Sequence, residues 1–276
     1  MSYKLKIPRI SEELRLIVHQ EHDDGVSADI KQNYIWEPYE TELVVDNLVK
    51  GDVFVDVGAN IGYYSVVAAS IVGETGKIIA YEPEPENYNL LLKNLSLNKL
   101  SNVQSFQAAL SDYNGQGYLY LNDSNRGDHQ LYDSGEERNR IETQLICAEQ
   151  HISGLVTKID FLKIDTQGSE TKIIKNLSKA IIANLNRIKM IVELWPKGLM
   201  RAGSSAGELL DLLFSFELKC YIIDHLNFQL FPATRSDFDD WIMKTESDKT
   251  NEGFFNLLLC PKSYKVNNST FSQLPR

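Results

Sequence analysis

"VFVDVGANIGYYSVVAAS", running from Val53 to Ser70, decides how the rest of the chain is read. Val53–Val57 is nearly all apolar, as a strand covered on both faces must be. Gly58 and Gly62 follow, and glycine permits a tight turn and a close backbone approach. Small and apolar residues over Gly62–Ile71 then predict a helix. Strand, glycine turn and helix in that order can hold a nucleotide cofactor at the strand's carboxyl end.

Outward from this unit, strands and helices alternate. Before it, "WEPYETELVVDNLVK" (Trp36–Lys50) predicts a helix, with Pro38 in its first turn, Glu40 and Glu42 at its positive end, and Gly51 as its stop. After it come a strand over Lys77–Pro83, a helix over Pro85–Asn98 and a strand over Val103–Leu110. Strands over Asp160–Asp165 and Ile188–Pro196 follow, each with a helix after it, Ser169–Leu177 and Ser205–Phe216. Strands over Glu217–Asp224 and Gly253–Lys262 close the sheet. Short apolar strands separated by helices mean a mostly parallel sheet covered on both faces, a doubly wound, Rossmann-like α/β domain. Residues 111–158 interrupt the alternation. "GYLYLND" and "ETQLICAEQHI" predict an inserted β-hairpin around the long polar loop "NDSNRGDHQLYDSGEERNR". The expected organisation is an N-terminal arm (1–35), a main domain (36–264) and a disordered tail (265–276).

Bulk properties narrow the partners. The chain has 276 residues, a formal charge of −10 and a pI near 5.1. An acidic surface without a Lys/Arg cluster argues against nucleic acid or an anionic membrane face as partner. Cys147, Cys220 and Cys260 are far apart and form no C-x-x-C pair, which suits buried thiols in a reducing compartment and no structural zinc. The start, "MSYKLKIPRISEELRLIV", has no continuous apolar core, and no apolar stretch is long enough to span a bilayer. The expectation is a cytoplasmic protein, with a homodimer open as an assembly.

The glycine turn separates two cofactor classes. Dinucleotide enzymes use G-x-G-x-x-G, because a pyrophosphate rests on bare backbone at the helix start. Here Gly58-Ala59-Asn60-Ile61-Gly62 reads G-x-N-x-G. Asp56, two residues before Gly58, is expected to repel a pyrophosphate and to attract the ammonium and sulfonium of S-adenosylmethionine. Glu82 ends the next strand, where a carboxylate takes both ribose hydroxyls.

At this point the sequence resembles the FkbM-type, class I S-adenosylmethionine-dependent methyltransferases. The resemblance covers roughly residues 34–262. It rests on "GDVFVDVGANIGYYS" (Gly51–Ser65), "YEPEPENYNLLLKNL" (Tyr81–Leu95), "ALSD" (Ala109–Asp112), "FLKIDTQGSE" (Phe161–Glu170) and "VELWP" (Val192–Pro196). It implies a seven-stranded sheet with an antiparallel last strand, and methyl transfer, usually to an oxygen on sugars of glycans or natural products. By position, Asp56 and Gly58 would flank the cofactor's methionine end. Ala59, Asn60 and Gly62 would share the turn. Glu82 and Pro83 would meet the ribose, and Gln107 and Ala108 the adenine. Trp36 and Glu37 would cover the cofactor. Gln144–His151 departs from the family's usual pattern.

Methyl transfer from a sulfonium to a hydroxyl needs in-line geometry and a group that takes the proton. Three residues are candidates at the carboxyl edge. Asp165 is the first choice, as base or substrate ligand, and is also placed among the cofactor-binding residues. Glu193 can orient a hydroxyl, or pair with Lys163 at the core edge. His129 can act as a base from the inserted loop or be merely solvated. Asp165 and Glu193 sharing a divalent metal is the competing mechanism, and an NAD-dependent oxidoreductase the competing enzyme class. Trp36, Tyr132 and Trp195 can stack on an acceptor.

Overall fold

The computed structural model describes residues 1–21, 23–248 and 250–266. The chain opens with a small antiparallel pair, β1 (Ser2–Lys4) and β2 (Arg15–Ile17), followed by α1 (Val26–Asn33) and α2 (Pro38–Asn47). The decisive unit is β3 (Val53–Val57) and α3 (Tyr63–Val72). It continues as β4 (Lys77–Tyr81), α4 (Pro85–Leu97) and β5 (Val103–Phe106). The insertion then brings β6 (Ala109–Ser111), β7 (Gly115–Tyr120), β8 (Arg140–Cys147) and α5 (Ala148–Leu155). The second half runs β9 (Phe161–Ile164), α6 (Glu170–Asn176), α7 (Ser178–Ala183), β10 (Lys189–Leu194), α8 (Pro196–Arg201) and α9 (Ala206–Ser215). It ends with β11 (Lys219–Asp224), β12 (Gln229–Ala233), a 3-10 turn at Arg235–Phe238, α10 (Asp239–Ser247) and β13 (Phe255–Cys260).

The central sheet has the order β12-β11-β13-β10-β9-β3-β4-β5. β10, β9, β3, β4 and β5 are mutually parallel, and β13 runs antiparallel between β10 and β11. The expected fold class stands, antiparallel last strand included. The sheet has eight strands rather than seven, because β12 folds back beside β11 at the edge. Its residues are half-buried or exposed, so they carry no apolar run that would have announced a strand.

Side chains alternate across each strand, so one strand feeds two cores. Val55 and Val57 join Leu162, Ile164, Met190, Val192, Leu257 and Leu259 on one face, beneath α5, α6, α7 and α9. Phe54 joins Phe161, Ile191 and Leu258 on the other, beneath α2, α3 and α4. Asp56, Lys163, Glu193 and Asn256 keep the phase of that second face, and at the carboxyl edge they put a polar row where apolar residues stop. The register sets Asp56 beside Lys163, and Glu193 beside Asn256.

The N-terminal segment packs into the second core through Leu5, Leu14, Leu16, Val18 and Ile30. Two asparagines one turn apart on α4 attach it. Asn94 accepts from the Ile17 amide (2.6 Å) and donates to the Ile17 carbonyl (2.9 Å). Asn98 does the same with Arg15, at 2.8 and 2.7 Å. Side-chain amides here stand in for a neighbouring strand.

The insertion departs from the expected hairpin in two ways. Val103–Leu110 is not one strand: it breaks at Gln107–Ala108, and β6 leaves the main sheet to pair with β8 in a separate sheet of order β6-β8-β7. The strand expected over Glu142–Ile152 ends at Cys147, and α5 begins at once with Ala148. Cys147, Cys220 and Cys260 are buried free thiols, as expected. Among the described residues no helix is long and apolar enough to cross a membrane. Of the expected disordered tail, residues 267–276 lie outside the described residues.

Candidate active site

The turn after β3 is internally satisfied. The Gly58 and Ala59 amides both donate to the Tyr81 carbonyl, at 3.0 and 2.9 Å. Asn60 donates to Glu82 Oε2 at 2.8 Å, Ile61 to Asn60 Oδ1 at 2.7 Å, and Gly62 to the Ala59 carbonyl at 2.8 Å. A pyrophosphate site needs free amides at this place. This turn has none to offer, so its geometry suits a cofactor without phosphate.

A cleft of about 590 Å³ opens at the carboxyl ends of the parallel strands. Glu37, Gly58, Ala59, Asn60, Glu82, Pro83 and Ala108 line it. Asp165, Glu193, Trp195 and Trp36 line it too, and His129 lines it from the inserted loop. Three expected cofactor residues lie elsewhere. Asp56 is buried on the α3 side, in phase with Phe54, where Ser65 Oγ donates to it at 2.6 Å. It ties the strand to the helix and does not face the cleft. Gly62 caps α3 with its φ at 85°, packed on Leu91. Gln107 is exposed at the break between β5 and β6. Tyr132 lies outside the lining as well, close against Gly168.

Glu82 is 5% exposed, and its two oxygens accept the amides of Asn60 and Glu84, each at 2.8 Å. Burial pushes its pKa up to about 8. The cap of α4 is its neighbour Glu84, which accepts from the Asn87 amide at 2.6 Å. Glu82 is thereby left for the cleft.

Glu37 and Asp165 are the carboxyl groups that line the cleft where Asp56 was expected to. Glu37 holds a left-handed backbone at φ 40° and accepts from the Tyr64 hydroxyl at 2.8 Å. Burial, with Glu40 beside it, raises its pKa to about 8. Lys163 is the buried counter-charge. It donates to Asp165 Oδ2 at 3.0 Å, lies 3.6 Å from Glu40 Oε1 and sits 4.8 Å from the centre of the Tyr64 ring. The surrounding carboxylates hold its pKa well above the ordinary lysine value against the pull of burial. It pairs with Asp165 and Glu40, not with Glu193 as one reading of the sequence had it.

Gln167 links the two strand-end carboxyls. Its backbone is left-handed, at φ 54°. Its Nε2 donates to Asp165 Oδ1 at 2.9 Å and to Glu193 Oε2 at 3.0 Å. An amide nitrogen therefore occupies the point between Asp165 and Glu193 where a shared cation would sit. Burial, then the Asp165 and Glu170 carboxylates, raise the pKa of Glu193 well above the usual range. Glu170 braces the turn from behind, accepting from the Thr166 amide and hydroxyl at 2.8 Å each and from the Gly168 amide at 2.9 Å.

His129 is not poised as a base. Its Nδ1 accepts the Asn122 amide at 3.1 Å, which leaves the proton of the neutral ring on Nε2. Burial lowers its pKa to about 4, so the ring is neutral near pH 7 and its free nitrogen is a donor. Of the three candidates Asp165 is ion-paired with Lys163 and partly exposed at the cleft.

Glu37, Glu40 and His225 also place ligand atoms within 4.8 Å of one another. Asn256 Nδ2 lies among them, donating to Glu40 at 2.8 Å and reaching His225 at 3.3 Å and Glu37 at 3.4 Å. Sequence reasoning missed Glu40, Gln167 and Asn256. The signal for Asn256 was a single polar residue in phase with Lys163 and Glu193, inside an otherwise apolar strand.

Residues 56–229, more than half of the chain, match the family model described as the methyltransferase FkbM domain. Methyltransferase sdnD of Sordaria araneosa is 27% identical over 62% of this chain and 78% of its own length. Among solved structures, a methyltransferase FkbM from Methylobacillus flagellatus KT aligns with a TM-score of 0.48 and 13% identity. That alignment covers 77% of this chain but only 44% of the other, so this chain spans less than half of its length. Precorrin-6y C5,15-methyltransferase from Geobacter metallireducens GS-15 aligns with a TM-score of 0.47 and 10% identity, over 89% of this chain and 94% of that one.

Proposed function

The chain belongs to the FkbM methyltransferase family, and from that premise we propose that it is an S-adenosylmethionine-dependent O-methyltransferase acting on a hydroxyl of a small-molecule or carbohydrate acceptor. The cofactor is S-adenosylmethionine, a nucleoside without phosphate. The observation that carries the reading is the turn itself: every amide from Gly58 to Gly62 is used within the protein, while the Glu82 carboxyl lines the cleft beside it.

Asp165 then stands where the acceptor hydroxyl must be oriented and relieved of its proton, with Lys163 and Gln167 fixing its two oxygens. General-base assistance from such a group contributes about 100- to 10,000-fold. Glu193, tied to Asp165 through Gln167, helps orient the acceptor hydroxyl. Trp36 and Trp195 flank the space left for the acceptor. The acidic balance of the chain supports a non-nucleic-acid substrate and no membrane partner. A cytoplasmic setting and a homodimer are part of the same proposal.

The test is product analysis. The protein is incubated with methyl-labelled S-adenosylmethionine and a panel of sugars, glycosides and phenolic and aliphatic alcohols, with primary amines as a parallel set. An O-methyl product, located by NMR, supports the reading. Transfer only to nitrogen or carbon would replace it.

A further inference from the structure

We propose that the inserted loop Asn122–His129 forms the outer wall of the nucleoside pocket, and that His129 Nε2–H and Arg126 Nε–H donate hydrogen bonds to the adenosine of the bound cofactor. This rests on the S-adenosylmethionine reading above.

The loop is stitched to the cofactor turn. The Arg126 carbonyl accepts from Asn60 Nδ2 and from Asn87 Nδ2, each at 3.0 Å. Asn60 is the same residue whose backbone amide holds Glu82. Asn87, in the first turn of α4, is steadied by His19 Nε2 at 2.7 Å from its Oδ1. The N-terminal segment pins the loop from outside: the Arg126 amide donates to Asp23 Oδ1 at 3.3 Å, and the Asp24 amide to the Ser124 carbonyl at 2.9 Å. The loop thus sits over the ribose end of the cleft, not over Trp195 at the acceptor end.

Two of its donors are left without a partner. Among the described residues, His129 Nε2 and Arg126 Nε are shut off from solvent and have no hydrogen-bond partner. Both residues line the cleft. A buried donor without a partner costs roughly 1–3 kcal/mol, and such an atom calls for a missing ligand or water. The Asn122 amide on Nδ1 fixes which imidazole nitrogen carries the proton, so His129 offers a donor and not a base. Arg126 spends its Nη1 on Glu86, at 2.5 Å, and keeps Nε free.

The chemistry of adenosine completes the match. Its ring nitrogens and ribose oxygens accept hydrogen bonds. The turn from Gly58 to Gly62 has no amide left to give. The loop supplies two donors at this end of the cleft.

The test is calorimetric binding of S-adenosylhomocysteine and of 5′-methylthioadenosine to wild type, His129→Ala and His129→Gln, with nitrogen NMR of the wild-type imidazole as a measurement that needs no variant. The expected result is about a tenfold loss for both ligands in His129→Ala and recovery to within about threefold in His129→Gln, whose amide restores a donor. The wild-type spectrum should show the Nε2–H tautomer, with its proton shifted on ligand addition. Unchanged affinity in His129→Ala, or an Nδ1–H tautomer, overturns the proposal while leaving the methyltransferase reading intact. Failure of wild type to bind either ligand overturns both.

Discussion

A Cβ placed on Gly58 would lie 1.9 Å from the backbone carbonyl oxygen of Asp165, so the turns after β3 and β9 touch at a point only glycine permits. The cofactor turn and the candidate base are thereby one rigid unit. Gly58 also holds φ at 85°. Gly58→Ala is expected to cost about 2–4 kcal/mol through positive-φ strain and overlap together. Thermal unfolding should show the loss. Any folded fraction should have weakened binding of S-adenosylhomocysteine, because the two turns must separate.

Asp165→Asn and Glu193→Gln should behave oppositely. The first removes the proposed base, and turnover should fall about 100- to 10,000-fold with any acceptor that wild type methylates. The second replaces a carboxyl whose pKa burial and the Asp165 and Glu170 carboxylates raise with an amide of similar shape. Turnover should stay within about threefold, because the amide oxygen keeps the hydrogen bond from Gln167. Both should keep cofactor binding. A large loss in Glu193→Gln with Asp165→Asn active would exchange their roles.

Lys163→Met leaves Asp165 and Glu40 without their buried counter-charge. Breaking one side of such a group costs about 3–5 kcal/mol. Denaturant unfolding should register it. Lys163→Met combined with Glu40→Gln should recover part of the stability, since the pair leaves together.

Glu82 makes cofactor binding depend on pH. Burial raises its pKa to about 8 in the empty protein, and the ribose hydroxyls are best accepted by the ionised form. Affinity for S-adenosylhomocysteine should therefore rise as pH goes from about 6.5 to about 8.5, by up to about tenfold per unit below the pKa. The folding contribution has the opposite sign. A carboxyl whose pKa is raised on folding stabilises the unliganded protein fully below its ordinary pKa, and this is lost as pH rises through about 8. Titration calorimetry and thermal melts across that range check both signs, and Glu82→Gln should flatten the Glu82 part of each.

The strand order and the place of the cleft were legible because the apolar strands announce themselves and a glycine turn follows the right one. The place of the site was legible at strand ends: Glu82 and Asp165 line the cleft where the sequence put them. Asp56 was misplaced because its attraction for a cation was argued from distance along the chain, whereas strand alternation sends it to the α3 side with Phe54. Counting phase from Val55 and Val57 would have placed it. His129 was assigned the wrong chemistry because which nitrogen holds the proton depends on the Asn122 amide, a contact set by loop conformation. Gln167 was passed over because nothing in "DTQGSE" shows that a left-handed backbone turns its amide back between two strands. The eighth strand and the insertion's separate sheet were missed because β12 is barely buried and β6 is only three residues long.

The most direct measurement is calorimetric titration of S-adenosylhomocysteine and NAD⁺ into wild type and Glu82→Ala. The expected result is micromolar binding of S-adenosylhomocysteine, no binding of NAD⁺, and a loss of tenfold or more in Glu82→Ala, about 1.4 kcal/mol. Binding of NAD⁺ in its place, or S-adenosylhomocysteine affinity unchanged without Glu82, would contradict the assignment of the cofactor to this turn.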